Sequence, residues 1–146
     1  MKAFSAYPAF FQLSRDGVYS VRFRDFENAG SEGRSLEEAL HGVHAALIGA
    51  MKACVARGEL IPEPSAPQPG EELVRLAPSL GVKILLVNDM IRTGTRPSEL
   101  ARRMGILPQE ASRLLNLGHA SKIDTLARAL EALDLQLVCS VQLREG

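Results

Sequence analysis

Apolar and polar positions along this chain change period more than once. Residues from Phe4 to Leu13 are apolar and aromatic, and Val18–Phe23 alternates in type. A period of two marks a strand with one buried face. Asp16-Gly17 between the two runs is a tight-turn signal, so residues 4–23 predict a hairpin. A weaker third strand is expected at Ala29–Gly33. The period then lengthens. Ser35-Leu36-Glu37-Glu38 reads as a capping box: Ser35 accepts the Glu38 N–H, and the Glu38 carboxylate returns to the Ser35 N–H. Leu36, Leu40, Val43, Leu47, Ala50, Met51 and Cys54 follow at helical spacing, and Gly58 is a natural terminator.

Ile61–Gly70 holds four prolines and a glycine in ten residues. Such a stretch continues neither a helix nor a central strand and predicts an extended, semi-rigid linker. Beyond it, Leu73–Leu76 is a short strand candidate able to return to the first sheet. A helix is expected from about Leu80 to Thr93, with Val82, Leu85, Leu86, Met90 and Ile91 inward. Three short helices follow over Pro97–Met104, Pro108–Leu117 and Lys122–Leu133. At the end, Leu135, Leu137, Cys139, Val141 and Leu143 alternate with Gln136, Val138, Ser140 and Gln142, a strand pattern with one apolar side. The pattern as a whole predicts an α+β chain. Residues 1–65 form a β-β-β-α(-β) domain, 61–72 a linker, and 73–146 an all-α domain closed by a short strand.

Charge changes this picture only locally. The chain carries 17 basic and 17 acidic side chains, but Arg96–Arg128 holds six basic against three acidic. That modest excess permits phosphate contacts. No apolar run is expected to reach the roughly 18–20 residues of a membrane span, and the first residues lack an apolar core of signal-peptide length. Cys54 and Cys139 sit in apolar contexts and are expected to be buried free thiols, which suits a reducing, cytoplasmic setting.

The segment Pro97–Asn116 meets the demands of a helix-turn-helix. Two helices crossing steeply need a small residue at the crossing, and Ala101 is there. The turn needs a residue that takes positive φ, and Gly105 is there. Leu100, Met104, Ile106, Ala111 and Leu114 can fill the angle, while Pro97 and Pro108 suit first turns. The second helix would then lie in a DNA major groove. Gln109, Glu110, Ser112, Arg113 and Asn116 would face the bases, where Gln suits adenine and Arg guanine. Arg96, Ser98, His119 and Lys122 would contact the backbone.

Tyr7-Pro8-Ala9, the run Asp16-Gly17-x-Tyr19-x-Val21-x-Phe23-x-Asp25, Gly33 ahead of Leu36-Glu37-Glu38-Ala39-Leu40, and Ile61-Pro62-Glu63-Pro64-Ser65 together resemble the HicB antitoxin family. Lys83-Ile84-Leu85-Leu86, Arg96–Arg103 and His119–Leu126 resemble the Cro/repressor-type helix-turn-helix attached to one branch of that family. The resemblance implies an N-terminal, inactive RNase H-like domain that masks HicA, a small mRNA-cleaving toxin. It implies a C-terminal part that dimerises, with residues 135–143 contributing, and represses the toxin–antitoxin operon. Asn28-Ala29-Gly30-Ser31 departs from the more usual Pro-containing stretch.

Enzymatic and metal readings find less support. A nuclease of RNase H type needs several carboxylates converging on paired metal ions. Asp16 is explained by the turn, Glu37 and Glu38 by the helix start, and Glu59 by an exposed end. Asp25, Glu27 and Glu32 gain no evident carboxylate partner from the pattern. His41 and His44 have a spacing that can bind metal, but no third ligand is apparent. The expectation is a binding and regulatory protein without cofactor or metal. The alternative class is a stand-alone repressor whose N-terminal domain senses a ligand or another protein. No side chain in the sequence declares itself a toxin contact.

Overall fold

The computed structural model describes residues 1–144. Its elements run β1 (Ala6–Leu13), β2 (Tyr19–Phe23), β3 (Gly30–Gly33), α1 (Leu36–Ala56), β4 (Glu71–Arg75), α2 (Pro78–Thr93), α3 (Pro97–Met104), α4 (Pro108–Leu115) and α5 (Ile123–Ala132). The four strands form one antiparallel sheet in the order β3-β2-β1-β4. The third strand forms despite its weak pattern, because Val21 and Arg22 of β2 supply partners for Ser31 and Gly30. β4 begins two residues before the expected Leu73 and pairs along β1 from Ala6↔Arg75 to Phe10↔Glu71. The chain on both sides of the proline-rich stretch therefore shares one sheet.

Pro8 sits inside a central strand, where a missing N–H would ordinarily break a ladder. The β1–β2 pairing starts only at Ala9↔Phe23, so at Pro8 the strand has β4 as its one neighbour. One sheet face carries Tyr7, Ala9, Val21, Phe23 and Val74, all buried against Ala39, Val43, Leu47, Met51 and Cys54 of α1. Tyr7 and Phe26 pack edge-on with ring centroids 5.0 Å apart.

The proline-rich stretch is better anchored than a linker. Ile61 is buried, and its N–H and C=O bond to the Asn88 side chain at 2.9 and 3.0 Å. The Tyr7 hydroxyl donates to the Pro62 carbonyl at 2.6 Å. Asp25 accepts from both the N–H and the hydroxyl of Ser65, which gives that carboxylate a structural role. Arg24 donates to Ala66 O at 2.7 Å and to Glu71, whose carboxyl these bonds hold below its usual range.

Several expectations change. The Glu38 carboxylate accepts from the Arg34 N–H at 3.3 Å, one residue before the Ser35 N–H expected for a capping box. Ser35 itself caps Glu38 N at 3.1 Å as expected. Cys54 is buried, but Cys139 is exposed, just beyond Leu135 and Leu137, which pack against the core of the C-terminal helices. The terminal strand expected over 135–143 is not formed: these residues carry no regular element and no β pairing. A ladder needs a second strand, and both edges of the sheet lie elsewhere. Contrary to expectation, α1 is long and apolar enough to cross a membrane, with mean hydropathy 1.4 over its best window. Its buried stripe against the sheet is that of a core helix.

α2 serves two cores. Ile84 and Val87 join the sheet-side core, which also takes in Leu117. Val82, Leu86 and Met90 join a second core with Leu100, Leu114, Leu126, Ala129 and Leu130. Gly81 is required where α2 meets the N-terminal arm, since a Cβ there would stand 2.0 Å from Phe4 O.

Candidate nucleic-acid interface

α3 and α4 begin alike, each with proline in its first turn and no side-chain cap. Proline lacks the N–H that a helix start leaves unpaired, so it fits there without loss. α3 ends at Gly105, in left-handed conformation at φ +67°. That turn lets the Ile106 N–H return to Ala101 O at 3.0 Å and aims the chain into α4 after two residues. Leu100, Ala101, Ala111 and Leu114 are buried between the helices, and Met104 and Ile106 pack at the margin.

All the residues expected to face outward do so. Gln109, Glu110, Ser112, Arg113 and Asn116 are exposed, as are Arg96, Ser98, His119 and Lys122. They are not equally free. The Asn116 side-chain oxygen accepts from the Gly118 N–H at 2.9 Å, so it is engaged in the turn that ends α4. Arg96 and Lys122 occupy the N-cap positions of α3 and α5. On α3, Glu99 takes side-chain bonds from both Arg102 and Arg103, which hold its carboxyl down to about 2. Those two arginines are thereby partly neutralised.

Two features were not foreseen. Lys83 lies in the apolar run Val82–Val87 and is buried to 1% exposure. Its ammonium donates to the carbonyls of Arg113 at 3.2 Å and Asn116 at 2.9 Å, and also to that of His119. The last carbonyls of a helix lack intrahelical donors and carry its negative dipole end. Lys83 supplies both donor and positive charge to the end of α4, while burial pushes its own pKa down to about 8. A lone lysine inside an apolar helical run was the available signal. The second feature is an open groove of about 600 Å³ between α4 and α5, bordered at one end by Arg103 and Met104 of α3. Arg113, His119, Lys122 and Arg128 line it, with Glu110 and Glu131 also on its walls.

On the sheet side, His44 is bound into the fold. Its Nδ1 lies 2.8 Å from Leu40 O and its Nε2 3.3 Å from Arg75 O, while His41 is exposed. Among the described residues no three His, Cys, Asp or Glu side chains gather as a metal site.

A family model described as the HicB_like antitoxin of bacterial toxin–antitoxin systems matches residues 6–85. The chain belongs to the HicB-like antitoxin family. The matched residues span the whole sheet, α1 and the first half of α2. The chain is 40% identical to Antitoxin HicB 2 of Photorhabdus laumondii over 131 residues, covering 90% of this chain and 92% of that one. It is 35% identical to Antitoxin HicB of Escherichia coli over 131 residues, covering 90% and 95%. Antitoxin HicB of Pseudomonas fluorescens is 35% identical over 111 residues, covering 75% and 76%. Those alignments extend beyond the family model, and membership suggests a regulatory rather than enzymatic role for this HicB-like chain.

Proposed function

We propose that this antitoxin has two jobs: it binds and neutralises a HicA-type mRNA-cleaving toxin, and it represses its own operon by binding operator DNA in the cytoplasm. Family membership supports the first job, together with the β-β-β-α-β order that suits an inactive RNase H-like domain. The observation that carries the second is α4, with a polar outer face over an apolar inner one, which follows α3 across the Gly105 turn in a manner that suits a helix-turn-helix. Gln109 and Ser112, exposed in its first two turns, are placed to read base edges. Arg96, Ser98, His119 and Lys122 would hold the backbone.

A homodimer would present two such helices to half-sites about one helical turn apart. Val141 and Leu143 are 100% and 95% exposed, and the alternation from Leu135 to Leu143 to which they belong suits a strand that forms only between two copies.

The jobs separate in one experiment. The full-length double variant Gln109→Ala/Ser112→Ala, co-expressed with the toxin from the neighbouring gene, should still rescue growth. It should fail to repress a reporter driven by its own promoter. Retained repression would sink the assignment of α4, and lost rescue in a folded variant would sink the division of labour.

A further inference from the structure

The groove between α4 and α5 separates two kinds of outward residue on α4. Glu110 and Arg113, one turn apart, stand on its wall, whereas Gln109 and Ser112 do not. Arg113 follows Ser112 directly in α4 but lines the groove, which Gln109 and Ser112 do not. Across the groove stand Lys122, at the start of α5, and Arg128, one and a half turns further along. Arg113, Lys122 and Arg128 enter no ion pair among the described residues, unlike Arg102 and Arg103 on α3. Among the described residues Arg128 donates only to Thr125 Oγ1, at 3.3 Å, and both side chains line the groove. These three unpaired cations outnumber the Glu110 and Glu131 carboxylates on the same walls, and the ion-paired Arg103 also borders the cleft, so its net field is positive and an anion would neutralise it.

We propose that this groove seats a backbone phosphate of the duplex that α4 reads, and that Arg113 and Arg128 are phosphate contacts, Arg113 not a base reader. The inference rests on the DNA-reading function proposed above. Glu110 on the same wall then has a purpose as well, since it disfavours a second phosphate beside the first. Thr125 adds a neutral hydroxyl donor to the seat.

The test measures affinity of the full-length protein for the duplex flanking its own gene, across a salt series. It compares wild type, Arg113→Ala, Arg128→Ala, Arg128→Lys and Gln109→Ala, on that duplex and on single-base-pair variants of it. Arg113→Ala and Arg128→Ala should each weaken binding roughly tenfold near 0.1 M salt, by the same factor on every duplex. Each should lower the slope of log affinity against log salt by about 0.9, one phosphate's share. Arg128→Lys should restore the slope, and Gln109→Ala should leave the slope intact while flattening preference at one base pair. If Arg113→Ala flattens preference at a base pair and keeps the slope, Arg113 is a base reader and the seat is wrong. Unchanged slopes in both alanine variants overturn the seat alone, and failure of wild type to bind the duplex overturns the DNA-reading function with it. Tight, Arg128-dependent binding of free inorganic phosphate without DNA would overturn the assignment of the seat to the duplex.

Discussion

The two cores that share α2 are built on opposite plans. The sheet-side core gathers residues from remote parts of the chain: Tyr7, Phe26, Met51, Ile61, Val74 and Leu117. It is rich in aromatic rings, and two of them, Phe4 and Phe26, pack edge-on against Tyr7. The other core draws its buried residues from a single stretch, Val82 to Leu130, and is wholly aliphatic. A polar side chain is buried on each side of α2. Asn88 serves the backbone of Ile61, and Lys83 serves the carbonyls at the end of α4. Asn88 supplies both partners to the Ile61 backbone, and Lys83 adds a charged donor to carbonyls of which two also accept from backbone N–H groups. The difference teaches that the cores are joined by hydrogen bonds of fixed geometry as well as by apolar contact. The orientation of α4 against the sheet is therefore set by α2.

If that junction is rigid, damage to either core should be felt in both, and core deletions give the largest effect. Leu47→Ala on the sheet side and Leu126→Ala on the other each remove a side chain with 1% exposure or less. Each should cost about 2–5 kcal/mol in urea unfolding. Both tyrosines, Tyr7 and Tyr19, lie in the sheet, so tyrosine fluorescence reports that region while far-ultraviolet dichroism reports the helices. The two probes should give coincident transitions in both variants. A Leu126→Ala protein whose helical signal melts ahead of its tyrosine signal would show two independent units.

The next effect concerns the junction itself. Lys83→Met keeps the apolar stem and removes the ammonium; the Arg113 and Asn116 carbonyls keep their backbone donors, the Asn116 and His119 N–H groups, but lose the charged one, and the change should cost about 1–3 kcal/mol at pH 7. The pH dependence has a definite sign. An unfolded lysine titrates near 10.4, while burial brings the native one to about 8. Between those values the unfolded chain holds a proton that the native chain has released. Unfolding free energy of the wild type should then rise with pH relative to Lys83→Met, by at most about 1.4 kcal/mol per pH unit over pH 8–10. Parallel profiles for the two proteins would mean that the ammonium is not desolvated.

How much of this was legible in the sequence follows from the same contrast. The hairpin, α1 and the helices α2 to α5 were readable because each repeats a local period or carries a local stop, as Gly105 does. The polar face of α4 was readable for the same reason. What escaped depends on distant partners. Lys83 looks like an exposed lysine until the end of α4 is laid against it, and Asp25 looks idle until Ser65 arrives from forty residues away. The proline-rich stretch reads as a linker because its anchors, Tyr7, Asp25 and Asn88, all lie outside it. The alternating tail predicts a strand, but a ladder is a property of two segments, and among the described residues no strand pairs with it. The groove escaped because Arg113 and Arg128 face each other only after α5 folds back.

A smaller effect tests whether the proline-rich stretch belongs to the sheet-side core. Tyr7→Phe keeps the ring packing and removes the bond to Pro62 O, so it should cost about 1 kcal/mol. Protease cleavage within residues 61–70 should become faster, while cleavage near α5 should not change. Equal protection in wild type and variant would show that Asn88 and Asp25 suffice to hold the segment.

The smallest effect compares how helices start in the two regions. α1 is opened by a side chain, with Ser35 Oγ accepting from the Glu38 N–H. α4 is opened by proline, with no side-chain cap. The two devices act on different states. The serine satisfies a donor in the folded protein, so Ser35→Ala should lower stability by about 1 kcal/mol. Pro108 has no N–H and no polar side chain with which to cap the helix; it restricts the unfolded chain, so Pro108→Ala should cost only about 0.4–1 kcal/mol. The mechanism shows in kinetics more than in magnitude. A cap formed late in folding raises the unfolding rate when it is lost, whereas loss of a proline's restriction acts chiefly by slowing folding. Ser35→Ala should therefore move the unfolding limb of the chevron and Pro108→Ala the refolding limb. If both move the unfolding limb alone, proline at α4 stabilises through native packing, and the two regions begin their helices by one principle after all.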